Sequence, residues 1–135
     1  MSQTDNLTVL GNKVEGSLEA GQLEKFPAPD VQEVRFVSDE LTALCPVTNQ
    51  PDIYEITISY LPNGYCVESK TLKLYLTRFR NIGIFGETIT STIADELFDA
   101  IKPRQLKVET TQQIRGGLRM SSVALRRDPA VGQLS

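Results

Sequence analysis

The chain has 135 residues, 40% of them apolar and 23% charged, with a formal charge of −3 and a pI near 5.0. That length and apolar content suit one domain with one core, and the acidic balance argues against a protein whose main work is binding the phosphate backbone of nucleic acid. There is no histidine, and the only cysteines are Cys45 and Cys66. Ser-His and Cys-His catalysis, imidazole acids and bases, and histidine-bearing or cysteine-only zinc sites within one chain are thereby excluded.

Residues 1–30 mix Gly, Glu, Ser and Gln with few apolar anchors and close in KFPAPD, whose two prolines disfavour helix and strand alike. They are expected to form an N-terminal arm lying over the domain. VQEVRFV and IYEITISYL follow as predicted strands. In the second, Tyr54, Ile56, Ile58 and Tyr60 alternate with Glu55, Thr57 and Ser59, the two-residue period of a sheet with one wet face. LPNGY is a turn, because Asn63 and Gly64 accept positive φ.

Leu72, Tyr75, Leu76 and Phe79, at i, i+3, i+4 and i+7, predict a helix over SKTLKLYLTRFR that starts near Ser69. Ile89, Ile93, Leu97 and Ile101 predict a second helix from about Thr88 to Ile101, stopped by Lys102 and Pro103. QLKVETTQQ and LRMSSVALR resume strand-like alternation on either side of RGG, and RRDPAVGQLS closes the chain as a flexible tail over residues 126–135. The order strand, strand, helix, helix, strand, strand is an α+β pattern, an antiparallel sheet with two helices on one face, across a catalytic domain at 31–125. Such a sheet has open edges, and association of copies with a site between subunits is one way to cover them. No apolar run reaches the ~20 residues of a membrane helix, and the start MSQTDNLTVLGNK lacks the basic-then-apolar pattern of a secretory signal. A cytoplasmic protein with no membrane partner is expected.

Cys45 stands between a predicted strand and the polar loop PVTNQPD. A lone cysteine is more often a small buried hydrophobe than a nucleophile, since an unperturbed thiol with a pKa of ~8.5 is largely protonated at neutral pH. A loop held by a scaffold is nevertheless where reactive groups stand. Asp52, closing the same loop, is either a turn residue or, if desolvated, a proton donor. Cys66 follows a turn and reads as packing. Lys70 and Lys73 lie one turn apart on a helix face, either as a solvated basic face or as a pair of cations for an anionic group, with Arg115 of IRGG a third. Glu87, before the second helix, is either a helix-start carboxylate favoured by the dipole or an acceptor for the amidine edge of a purine-like ring.

LTALCPVTNQPD, ISYLPNGYCVESKTLKLYLTRFRN and RGG closely resemble the 7-cyano-7-deazaguanine reductases, the nitrile reductases of queuosine biosynthesis in tRNA modification, in their short single-domain form. The likeness runs from VLGN (Val9–Asn12) through RGG. It implies a tunnelling fold (T-fold), several copies of which form an oligomeric barrel with active sites at subunit interfaces. By the resemblance Cys45 is the nucleophile that adds to the nitrile carbon of 7-cyano-7-deazaguanine to give a thioimide, and Asp52 is the proton donor. Glu87 would anchor the deazaguanine ring, and Val67, Glu68 and Ser69 fall in the substrate-binding segment. Lys70, Lys73 and Arg115 would meet the cofactor, NADPH, which delivers hydride twice and yields 7-aminomethyl-7-deazaguanine. A homo-oligomer that binds no nucleic acid is implied.

Members of the family that this chain resembles usually have a histidine directly before the ring-binding glutamate, where this chain has Gly86, itself expected in the substrate site. If Gly86 merely removes a hydrogen bond and some cover from the ring pocket, Gly86→His is expected to strengthen nitrile binding by about 1 kcal/mol, one net hydrogen bond; if the site is rebuilt around the glycine, an imidazole there is expected to clash. Two other readings keep Cys45 and Asp52. One is an amidinotransferase-like relative that adds ammonia to the same nitrile on transfer RNA, against which the ESKTLK motif and the acidic pI speak. The other is a non-catalytic binder of deazaguanines, supported by Gly86 alone.

Overall fold

The computed structural model describes residues 22–130, and the sequence expectations for residues 1–21 and 131–135, VLGN among them, lie outside it. Its centre is an antiparallel four-stranded sheet of order β2-β3-β5-β6, from β2 (Val34–Leu44), β3 (Pro51–Leu61), β5 (Gln105–Arg115) and β6 (Leu118–Arg127). The alternation read in IYEITISYL sets the faces: Asp52, Tyr54, Ile56, Ile58 and Tyr60 are buried, while Pro51, Ile53 and Glu55 are exposed. Helices α1 (Ser69–Thr77) and α2 (Gly86–Ile101) cover the buried face. Ile89, Ile93, Leu97 and Ile101 of α2 meet Leu106 and Val108 of β5 in one core, which Leu72 and Tyr75 of α1 extend. Between the helices lies a 3-10 turn, Arg78–Asn81.

Helix ends follow local chemistry. Glu68 caps α1, its carboxylate accepting from the N–H groups of Lys70 (2.9 Å) and Thr71 (2.8 Å). Lys102 ends α2 in the left-handed conformation (φ 49°), its N–H donating to the Phe98 carbonyl, and Pro103 follows it. The strand-strand-helix-helix-strand-strand order and the α+β class stand as the sequence indicates.

Several boundaries differ. KFPAPD does not exclude a strand: β1 (Lys25–Pro27) pairs antiparallel with β4 (Tyr65–Val67), Phe26 opposite Cys66. The ribbon is short and Pro27 sits at its end, where a missing N–H disturbs little. Within the arm expected over residues 1–30, the chain is thus hydrogen-bonded into the domain at Glu24, whose N–H donates to the Thr71 hydroxyl and whose carbonyl accepts from the Glu68 N–H, and through β1. β2 continues well beyond VQEVRFV to Leu44, burying Leu41 and Ala43, with a bulge between Ser38 and Leu41. The first helix is α-helical only to Thr77, and the second begins at Gly86 instead of Thr88. Of the turn residues Asn63 and Gly64, only Gly64 takes a positive φ (98°).

The tail drawn at residue 126 begins too early. Arg126 and Arg127 pair in β6 with Leu106 and Gln105, and Arg126 Nε donates to Asp95 Oδ1 at 2.7 Å. No helix among the described residues is long and apolar enough to cross a membrane.

Candidate active site

Cys45 follows the last residue of β2 and opens the turn to β3. Its N–H donates to the Gln50 carbonyl and its carbonyl accepts from the Asn49 N–H, both at 2.8 Å, with Asn49 in the left-handed conformation (φ 61°). That turn folds back over the half-buried sulfur. The Thr48 hydroxyl donates to it, as do the N–H groups of Thr48 and Val47, and these bonds hold the thiol below its ordinary pKa against the opposing effects of burial and of Asp52. Cys66, the other thiol, is buried in β4 and packs.

Asp52 lies on the buried face of β3, opposite Ala43 and 5% exposed. A buried carboxylate needs a partner, and Arg115 supplies it: its Nη1 pairs with Asp52 Oδ1 and also reaches the Pro51 carbonyl at 3.4 Å. Arg115 ends β5 just before Gly116 and Gly117, whose φ values of 60° and 80° make the tight return into β6. The guanidinium is thereby carried back over the mouth of the β2–β3 turn. The structure places Arg115 with Asp52 and not with Lys70 and Lys73, where the sequence put it.

The segment before α2 is pinned to the same corner. Leu44 N–H donates to the Ile82 carbonyl (2.9 Å) and Ile84 N–H to the Leu44 carbonyl (3.0 Å), a parallel bridge centred on Gly83. The first turn of α2, Gly86 and Glu87, consequently starts next to Cys45. Glu87 is exposed, with no hydrogen bond or ion pair among the described residues, so its carboxylate is available to a donor edge. Gly86 is buried, and a Cβ there would stand 2.6 Å from Met120 Cε and 3.2 and 3.3 Å from Tyr54 Cε2 and its hydroxyl. Met120 can swing away; Tyr54, 1% exposed in the sheet, cannot easily do so.

Tyr54 is the residue that sequence reasoning missed. It was legible only as an apolar tooth of the β3 stripe, yet the same two-residue period sets it beside Asp52. Its hydroxyl is buried with no hydrogen-bond partner among the described residues. Burial first, then the charges of Asp52, Glu87 and Cys45, push its pKa up to about 12, with Arg115 opposing.

The other predicted residues form a separate group along α1. Val67 is buried and donates its N–H to the Tyr60 hydroxyl at 3.0 Å, and the Glu68 carboxylate is engaged as the cap, which lowers its pKa through the Lys70 and Thr71 N–H groups. Ser69 and Lys73 line a groove of about 660 Å³ between α1 and β2. Thr77 and Arg80 continue its helix wall, and Asp39, Glu40 and Glu55 stand on the sheet side. Lys70 is exposed one turn before Lys73. Among the described residues no hydrogen bond or ion pair joins this group to Cys45, Asp52, Arg115, Gly86 and Glu87. None of the His, Cys, Asp and Glu side chains described gathers in a group able to hold a metal.

A family model described as QueF-like protein matches residues 51–130. The chain is 48% identical over 94 residues to the NADPH-dependent 7-cyano-7-deazaguanine reductase of Chlorobium phaeobacteroides (strain BS1), covering 70% of this chain and 79% of that protein. It is 43% identical over 134 residues to the protein of that name from Synechococcus elongatus, covering 96% and 77%. Among solved structures, the apo form of an archaeosine synthase QueF-Like superposes with a TM-score of 0.68 at 21% identity, over 72% of this chain and 95% of that one, a likeness of fold alone.

Two outcomes follow from this geometry. The pH profile of Cys45 alkylation by iodoacetamide, read by mass spectrometry of its peptide, should have its midpoint below the about 8.5 of a free thiol. Thr48→Ala removes a donor that favours the thiolate and should move that midpoint up. Of the two outcomes the sequence leaves open for Gly86→His, the packing favours the clash: the variant should destabilise the fold by overpacking, on the order of 1–3 kcal/mol by urea unfolding. Tyr54→Ala in the same chain should recover part of that loss by making room.

Proposed function

The chain belongs to the QueF-like protein family, and from that premise we propose how it works as an NADPH-dependent oxidoreductase that reduces the nitrile 7-cyano-7-deazaguanine to 7-aminomethyl-7-deazaguanine in the queuosine pathway. The observation that carries the proposal is the corner where Cys45, activated by its own turn, faces the Asp52–Arg115 pair.

A nitrile carbon accepts a nucleophile readily only if its nitrogen gains a proton as the new bond forms. Cys45 and Asp52 satisfy both needs with no net change in protons. The thiol proton passes to the Asp52 carboxylate as sulfur attacks carbon, and Asp52 then gives it to nitrogen. One carbon–nitrogen π bond is exchanged for a carbon–sulfur and a nitrogen–hydrogen bond, leaving a thioimide on Cys45. Arg115 holds the carboxylate before the proton arrives and after it leaves. Glu87, free at the start of α2, accepts from the donor N–H edge of the ring and so fixes where the nitrile points.

When bound, the reduced nicotinamide supplies hydride. The groove beside α1 suits its phosphates on the helix wall, where Lys73 and Arg80 offer cations and Ser69 and Thr77 hydroxyls. Lys70 would approach from the first turn of α1. Because this groove and the Cys45 corner are not joined within one chain, we place a second copy so that its α1 group completes the site of the first. The open edges of β2 and β6 give such an assembly somewhere to pair. A reduced Cys45 fits a reducing compartment such as the cytoplasm.

The test is NADPH consumption by purified protein on addition of the nitrile. Two equivalents should be oxidised per nitrile, with the primary amine as product. Lys73→Ala should raise the KM for NADPH several-fold while nitrile binding changes little. No oxidation with intact binding would contradict the reductase assignment, and equal losses for both ligands would remove Lys73 from the cofactor.

A further inference from the structure

A buried hydroxyl without a partner costs free energy, and a ligand that completes the bond recovers that cost. Tyr54 is such a group. Its oxygen is buried and unpartnered among the described residues, and it lies 3.3 Å from the point where a Cβ on Gly86 would stand. Gly86 directly precedes Glu87, and Tyr54 shares its strand face with Asp52. The hydroxyl therefore sits between the residue that accepts from the ring and the residues that act on the nitrile. The chain has no histidine, so no neutral imidazole competes for this place. With its pKa pushed up to about 12, the phenol keeps its proton at neutral pH and acts as a donor. Met120 Cε, 2.6 Å from the same Cβ point, is half-buried on an unbranched side chain and can move aside for a ligand.

The ring itself says what would meet this donor. In 7-cyano-7-deazaguanine the carbonyl oxygen stands on the edge between the ring N–H that a carboxylate accepts from and the carbon that bears the nitrile. With Glu87 at one end and Cys45 and Asp52 at the other, the carbonyl falls to the group in the middle. We propose that Tyr54 is a specificity-determining residue whose hydroxyl donates to the ring carbonyl oxygen, selecting 6-oxo deazapurine nitriles over those without that oxygen. Gly86 is the reciprocal of this choice, since any side chain there would press on the tyrosine. The proposal rests on the reading of Cys45, Asp52 and Glu87 given above.

The experiment measures noncovalent binding in a Cys45→Ala background by calorimetric titration, with two probes: 7-cyano-7-deazaguanine and its 6-thioxo analogue, which keeps the ring N–H for Glu87 and puts a poor acceptor in place of the carbonyl oxygen. Tyr54→Phe should weaken binding of the oxo nitrile about tenfold, as expected for one lost hydrogen bond, and leave the analogue unchanged. Unliganded Tyr54→Phe should unfold at the same temperature as its parent or a higher one, because phenylalanine fills the same space without the unpaired oxygen. Equal affinity of the two proteins for the oxo nitrile, equal weakening for both probes, or a lowered unfolding temperature would overturn the proposal. Intact-mass measurement with native Cys45 separates the two levels. A parent that forms no adduct overturns the function and this inference together, whereas an adduct alongside an unchanged Tyr54→Phe affinity overturns the inference alone.

Discussion

Residues two apart on a strand share a face, and on β3 that face begins with a carboxylate. Asp52, Tyr54, Ile56, Ile58 and Tyr60 are all turned under the helices, so the last rungs of the hydrophobic core are also the floor of the reactive corner. A slip of one residue in the β2–β3 register would carry Asp52 to the wet face and every apolar tooth with it. The core therefore fixes the site. What burial would otherwise make costly, an ionised side chain 5% exposed, is offset by Arg115, delivered from the far end of β5 by a turn that needs positive φ at both glycines.

Three chain reversals meet at this corner for separate local reasons. The Cys45 turn closes through its own backbone bonds to Asn49 and Gln50, the α2 entry is tied to Leu44 by a parallel bridge, and the β5–β6 hairpin brings Arg115. The α1 group is positioned by different means, a Glu68 cap and the β1–β4 ribbon, just beyond which the Glu68 N–H donates to the Glu24 carbonyl. On the proposed reading these two supports would hold two halves of one chemistry, and a neighbouring copy would complete the site without either half reaching across its own domain.

Much of this was legible in the sequence because it is periodic and local. The β3 stripe, the α1 and α2 faces and the Lys102-Pro103 stop are read from residues a few places apart. What was not legible depends on partners distant in the chain. β1 is a strand only because β4 lies beside it, and nothing in KFPAPD announces that. Arg115 looked like a companion for Lys70 and Lys73 until the fold brought it to a carboxylate 63 residues away. Gly86 read as a lost side chain; in the structure it is the space that Tyr54 and Met120 occupy. Cys45 is a half-way case, since its exposed loop could be read and the Thr48 and Val47 donors that lower its pKa required the turn to be seen.

The central claim is a covalent one, that Cys45 adds to the nitrile carbon with Asp52 carrying the proton. Incubating the protein with 7-cyano-7-deazaguanine in the absence of NADPH, followed by intact-mass measurement and peptide mapping, tests it most directly. The account predicts a mass gain of one nitrile molecule per chain, mapped to the Cys45 peptide, absent in Cys45→Ala and slowed in Asp52→Asn. No mass gain, or a gain that persists in Cys45→Ala, would contradict it.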